Sequence, residues 1–526
     1  MEEMQYLQML EAILVQHRAF GDSDYLHKQL QVCYERRLTK ISARLPAAGA
    51  LLDALCRTDP YTRYRIIGDT VVRFAINDAL RLIQTEEGHG LPLDHYEELF
   101  HAMVRCLKDN KFERTLLSRT PQIQCGEFAL SVWAGQHFCG PLFEQAFLSA
   151  VKERCGGLCE AAAELCMPNA DHLVMLSNGV NLLNDLLPLL TRSALRHTHL
   201  IALFPSRAWK SAASLSQIWL SGTVFLGREF LQNPWWVAEH LLHESLHQRL
   251  YDFHQGHSFL TPDFSREDAP SVCSLWNVPG ANKANCWDTH RAVAAFHVYV
   301  HLALLSAVAE QRAPELEKVY GSPHANPAMI DSRKAIERAQ YLGEKIRESC
   351  WQELGIAGKR LVEWLISVLN ALDPLPPPKG CYTHLLLDRY QGEGWTVQQR
   401  IDASSPVRTL SDGSEGRGAA SSTCIQELLE LANGEIDSTR QILTEIGAAD
   451  DLTKFNHAIN EYSYEELGTK FGQVRQCITK TILHLFSNGY RLKTSSDKEN
   501  RVQEIVTNMV EMSSADLQII LQSEEA

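Results

Sequence analysis

At 526 residues with 45% apolar content, the chain is long enough for roughly two to four domains with well-filled cores. Its net charge of −14 argues against general nucleic-acid binding, which needs basic patches to displace counterions, and against an anionic membrane surface. The opening Met1-Glu2-Glu3-Met4 lacks the basic stretch and apolar core of a secretory signal, and the 14 scattered cysteines form no CxxC pair, so a cytoplasmic protein is expected.

From Met1 to about Asp109 the pattern is helical almost throughout, with stripes such as Leu7, Leu10, Ile13 and Leu14. Cys155 and Cys159, the closest two cysteines, read as reduced, buried thiols. The centre differs. Leu173–Leu176, His199–Phe204 and Ile218–Phe225 look like short strands, and Gly222 in the last suggests a bulge or a close backbone approach. Asn233-Pro234 then opens a helix, with proline in the first turn where its missing N–H does no harm.

An irregular stretch rich in Pro, Ser and Asn follows from Thr261 to Cys286. Trp287 begins an apolar helix reaching about Gln311. Its uncharged run, Ala292–Ala309, has membrane length but contains His297, His301 and Ser306, so it reads as a buried helix. Further helices run from Pro327 to Asp373. A low-complexity segment, Asp402–Ser422, reads as a linker or surface loop before a final helical bundle. The expected division is a helical domain over 1–165, a metal-binding core over 166–400, a linker over 401–422 and a bundle over 423–526. The expected fold class is mainly α with a small central β-sheet (α+β), with a zincin-like motif helix in the core.

That motif is His243-Glu244-Ser245-Leu246-His247, inside the helical pattern from Trp235 to Phe253. Residues four apart on an α-helix lie one above the other, so both imidazoles can reach one metal ion. Val237, Leu241, Leu242, Leu246 and Leu250 make the flanks apolar, and His240 sits a turn earlier. Two histidines and a carboxylate on a largely buried helix cost free energy unless something satisfies them, and a divalent cation does. A chance match with hydrogen-bonded core histidines is the competing reading.

Two histidines do not close a site. The extended peptidase pattern HExxHxxGxxH fails, because Leu250 and Phe253 occupy its glycine and last histidine positions. The next helix offers Asp288 and His290, and His290 shares a face with Ala294 and His297. His297 and His301 form a second pair at helical spacing, better read as capped core histidines. His254 and His257 follow the motif in a turn where exposure is the default. Glu267 and Asp268 are further oxygen ligands to weigh, against a solvated loop.

The stretch from Ser221 to Phe296 resembles the HEXXH-motif peptide-modifying proteins associated with ribosomally made peptide natural products. An apolar strand (Trp219–Phe225) precedes the motif, Arg249-Leu250 follows it, Trp276 and Pro279 mark the irregular segment, and His290 and Phe296 open the next helix. The chain departs from that pattern at Arg291, where glycine is expected. The resemblance implies an iron(II) enzyme that uses 2-oxoglutarate and oxygen to hydroxylate a β-carbon of a peptide or amino-acid-like substrate. It makes His243, His247 and His290 the ligands and Glu244 an orienting group. Guanidinium forks suit the far carboxylate of 2-oxoglutarate, which makes Arg249 and Arg291 candidates, against ordinary surface ion pairs.

The alternative is a zinc hydrolase in which the metal acidifies bound water and Glu244 takes its proton. A third reading is a non-enzymatic helical scaffold. No nucleic acid or membrane partner is expected, and a homo-oligomer is left open.

Overall fold

The computed structural model describes residues 3–85, 91–109, 120–135, 141–155, 165–209, 213–277, 285–323, 326–374, 382–404, 422–487 and 496–525. Helices dominate, and one small mixed sheet stands among them, so the fold is mainly α with a small sheet. The described residues gather into two compact units. One comprises Met1–Ser271 with Asp288–Leu375, the other Val272–Trp287 with Pro376–Ala526. The expected boundary at 165/166 is not a unit boundary, since the N-terminal helices and the motif helix share the first unit. The linker expected over 401–422 lies mostly outside the described residues.

In the first unit the sheet has the order β1-β2-β3-β5-β4. β1 (Gln122–Cys125) and β2 (Phe128–Val132) form a hairpin turned at Gly126, whose φ of 58° suits glycine. These two strands lie in a region expected to be helical. β3 (Leu200–Phe204) runs parallel to β2 and to β5 (Thr223–Gly227), with Leu200 opposite Thr223. Both central strands are buried along their whole length, as a strand covered on two faces should be. β4 (Ser214–Ser216) closes the edge antiparallel to β5.

Two expected strands need correction. Leu173–Leu176 belongs to the helix Ala170–Leu186, whose Asn169 cap and His172 satisfy each other's backbone in a capping box. That local helix-start chemistry outweighs four apolar residues in a row. Ile218–Leu220 is a single tight turn before β5. Gly222, at φ 95°, makes the close approach expected of it: a Cβ there would stand 2.6 Å from the Gly68 carbonyl oxygen.

The motif helix spans Pro234–Gly256, capped by the Asn233 side chain on the Trp235 amide. It packs on β4 and β5, on Ser23–Ser42 and on Ala170–Leu186. Gly179 permits the last contact, since a Cβ there would lie 2.4 Å from Val237 Cγ1. The following helix, Thr289–Tyr320, has the length and hydropathy to cross a membrane, but 83% of its apolar window is buried within the structure. Asp288 is its N-cap, accepting from the Arg291 amide and pairing with Arg266. That is the role of a helix cap, not of a free ligand.

The second unit holds the helices Thr383–Ser404, Ser422–Glu445, Phe471–Ser487 and Ser496–Glu525 around a continuous apolar core that includes Leu428, Ile436, Val474, Ile478 and Val510. It also holds the short pair β6 (Val272–Cys273) and β7 (Cys286–Trp287), bridged by a Cys273–Cys286 disulfide that scattered cysteines gave no sign of. Cys155 is buried as expected, and Cys159 lies outside the described residues.

Candidate metal site on the motif helix

Three residues of the motif helix clamp it to the sheet. Gln248 accepts from the Gly222 amide at 2.7 Å and donates to the Thr223 carbonyl at 2.9 Å. Ser245 and Thr198 share a hydroxyl–hydroxyl bond of 2.8 Å. Ser216 donates to the Glu244 carbonyl at 3.3 Å. With 100° between successive residues, fixing 244, 245 and 248 on the sheet turns His243 and His247 to a neighbouring face. Helix rotation is therefore set by buried polar bonds, and not by apolar packing alone.

On that face stands a ladder of rings. Trp236 stacks on His240 at 4.2 Å, His243 meets His247 at 5.0 Å edge to face, and His247 is followed by Tyr251 at 6.2 Å. Tyr299 from the next helix approaches His243 at 6.5 Å. Burial first, then the neighbouring His243, holds the His247 pKa down to about 4, with His290 and Arg291 adding to the effect against the pull of Glu244. Neutral imidazole is the form that binds metals. The Nδ1 atom of His247 is buried and has no hydrogen-bond partner.

Glu244 is buried, and its Oε1 accepts from Ser214 Oγ at 2.6 Å. Ser214 has one hydroxyl proton, so the 3.0 Å contact with His240 Nδ1 runs with the imidazole as donor. Burial would raise the Glu244 pKa, but His243, His247 and the serines outweigh it and hold the carboxyl below its usual range. The result is a carboxylate held beside both motif imidazoles by the edge strand. Ser214 was not among the sequence candidates. A serine in a three-residue strand carries no linear signal, and only the packing of β4 on the helix reveals it.

His290 stands otherwise than the spacing suggested. Its ring packs against His254 at 5.2 Å and Phe259 at 5.7 Å. Burial and then His254 depress its pKa to about 4, and its Nε2 is buried without a partner. The structure does not gather His243, His247 and His290 into one ligand cluster. Among the described residues, the three side chains whose ligand atoms all lie within 4.8 Å of one another are His27, His197 and Asp252. His254 is half-buried against His290, not exposed, and His257 stacks on Phe253 at 4.4 Å.

The His27–His197–Asp252 group is a poor cation site on chemical grounds. Asp252 takes the Arg73 guanidinium at 2.5 Å and His197 Nδ1 at 2.6 Å, and the other nitrogen of His197 lies 3.1 Å from Ser23 Oγ. A metal ion would have to displace a fully buried arginine from its own counter-ion. The group is a charge knot that ties the motif helix to its neighbours.

Arg249 does not serve as an anchor for a ligand carboxylate. It follows His247 by two residues, about 200° around the helix and so on the opposite side. It is fully buried, and its Nη2 donates to the Phe20 carbonyl at 2.8 Å and the Leu14 carbonyl at 3.4 Å. Those oxygens lie at and just beyond the C-terminal end of the helix Glu3–Gln16, where a cation is favourable. With no acidic partner among the described residues, burial lowers its pKa to about 10. Arg291 is exposed and lies on the His247 and Tyr251 side, close enough to act on both.

His297 and His301 are core residues as expected: His301 Nδ1 donates to the His297 carbonyl at 2.7 Å. Glu267 and Asp268 are exposed in their loop. Comparison with models of known protein families and with curated proteins returns no match to this chain.

Proposed function

We propose that the chain is a metal-dependent enzyme built on His243, Glu244 and His247, acting on a peptide or amino-acid-like substrate. One observation carries this: two imidazoles at helical spacing, one of them held neutral, share a face beside a buried carboxylate that is held ionised. Buried groups of this kind without a full set of partners are costly in a purely structural role. A divalent cation between His243 and His247 would satisfy them.

The preferred reading is an iron(II)- and 2-oxoglutarate-dependent hydroxylase, on the order of motif features along the chain. When bound, the metal and keto acid would supply oxygen activation for attack on an unactivated C–H bond. The donor set of the motif pair suits such an ion, and metal binding is assigned to His243 and His247, because His290 rests on His254 and Phe259 and is not gathered with them. Arg291 is the remaining cation for the far carboxylate of the keto acid, since Arg249 is committed to helix capping. Glu244 orients its neighbours through Ser214.

The second reading, a zinc hydrolase, is favoured by that same Glu244, an ionised carboxylate one position from a metal-type histidine. The two part on metal content and product. Anaerobically purified protein should carry iron, show a weak visible band with iron(II) and 2-oxoglutarate, and release succinate in air. Tightly bound zinc with no succinate under any condition would defeat the oxygenase reading. His243→Ala and His247→Ala should each abolish metal binding, and retention of metal by both would defeat the site itself. Glu244→Gln should abolish a hydrolase but only impair a hydroxylase.

A further inference from the structure

The second unit carries a groove of about 490 Å³ between Ser422–Glu445 and Ser496–Glu525, and nothing in the proposed chemistry uses it. One wall is the stripe Glu427, Glu430, Leu431, Gly434 and Ser438, which follows a single face of its helix for about three turns. The other wall places Met512, Asp516, Ile519 and Ile520 at spacings of four, seven and eight along one face. Met512 is 68% and Ile519 65% exposed, although both are large apolar side chains on an ordered helix. Exposed apolar surface gathered in a concave strip marks an interaction site more often than chance exposure does.

The rim fixes the sign of the partner. Glu427, Glu430 and Asp516 line the groove, and among the described residues no lysine or arginine lines it. Glu435, at the bottom, is already neutralised by Arg475 at 2.7 Å. A floor of methionine and isoleucine adapts to leucine-like anchors, and acidic edges select a cationic flank. An anionic lipid surface is disfavoured by the same charges.

We propose that this groove docks a basic amphipathic helix of about three turns from a partner polypeptide, its apolar face on Met512 and Ile519 and its lysines or arginines on Glu427, Glu430 and Asp516. The mode is helix-in-groove recognition, with anchors at i, i+3 or i+4, and i+7. It holds independently of the metal reading.

Gly434 provides the test. A Cβ at this position meets nothing within 4 Å, so a larger side chain there projects into the groove without disturbing the core. The probe is a synthetic leucine–lysine amphipathic helix, about 18 residues long, titrated into the full chain and followed by fluorescence anisotropy. Gly434→Phe should weaken binding about tenfold or more, as should Glu427→Lys with Glu430→Lys, while Gly434→Ala should bind like the parent. Binding to the parent should also fall with added salt. Equal affinity for a leucine–glutamate helix or a composition-matched scramble would overturn the proposal, as would indifference to Gly434→Phe in a variant with unchanged thermal unfolding. Self-association of the parent that Gly434→Phe abolishes would also overturn it, by making a second copy the occupant.

Discussion

Arg475 in the C-terminal unit and Arg249 on the motif helix bury a guanidinium in two different ways, while Arg73, in the same unit as Arg249, is paired with Asp252 much as Arg475 is with Glu435. Arg475, in the C-terminal unit, is fully paired. Its Nε and Nη2 donate to Glu435, its Nη1 to the Tyr390 carbonyl, and its plane lies 4.2 Å from the Tyr390 ring and 4.6 Å from Phe471. Its pKa rises, because Glu435 and Tyr390 outweigh the cost of burial. Arg249, on the motif helix, has no acidic partner among the described residues, two unbonded nitrogens and a pKa pushed down to about 10. Around it lie His297 and His301, each also with a buried nitrogen lacking a partner.

The C-terminal bundle closes its buried arginine in a full set of bonds, although Thr479 Oγ1 is buried there without a hydrogen-bond partner. The first unit tolerates unsatisfied donors in the same region as its candidate site.

The contrast breaks most visibly on removal of the paired arginine. Arg475→Met strands Glu435 and Glu393 in the core, and should destabilise the bundle by about 3–5 kcal/mol, measured by urea unfolding. Arg249→Met removes a charge that no acid balances while keeping most of the side-chain volume. It should cost only about 1–2 kcal/mol, the loss of two bonds to helix-end carbonyls. A larger loss from Arg249→Met than from Arg475→Met would reverse the reading of both sites.

Acid should separate the units as well. His301 is neutral in the fold with a pKa near 3, against 6.5 for the free side chain. Between those values the unfolded chain takes up a proton that the folded chain refuses, so stability falls as pH drops from 6.5 toward 3. The slope is about 1.4 kcal/mol per pH unit from this histidine alone, and it levels off below the folded pKa. His247 and His290, each near 4, act in the same direction. No histidine is among the buried residues of the C-terminal unit. Segment-resolved hydrogen exchange at pH 7 and 5 should therefore show the first unit loosening while the bundle keeps its protection. Parallel loss in both would count against the buried neutral histidines. The smallest effect belongs to Gly434→Ala, which should stabilise the bundle by about 0.5–1 kcal/mol in a thermal melt, as an unhindered helical glycine replaced by alanine.

Much of the local structure was legible in the sequence. Asn233-Pro234 marked the start of the motif helix, the apolar run after Trp287 marked its neighbour, and the helical spacing of His243 and His247 put both rings on one face. Where the reading failed, either a local cap had gone unread or a longer-range contact had decided. Leu173–Leu176 looked like a strand until the Asn169 cap and the packing of Gly179 on Val237 were in view. His290 had the right spacing to face the motif pair, yet its ring rests on His254, in the last turn of the motif helix, and on Phe259 just beyond it.

By itself the sequence determined what short-range geometry determines: where the motif helix starts and which of its side chains share a face, because 3.6 residues per turn is a property of the backbone. Only the tertiary structure decided what each of those side chains meets. Ser214 reaches Glu244 across 30 residues and Leu14 meets Arg249 across 235, and no local pattern encodes contacts made by chain segments that come together only when the core closes.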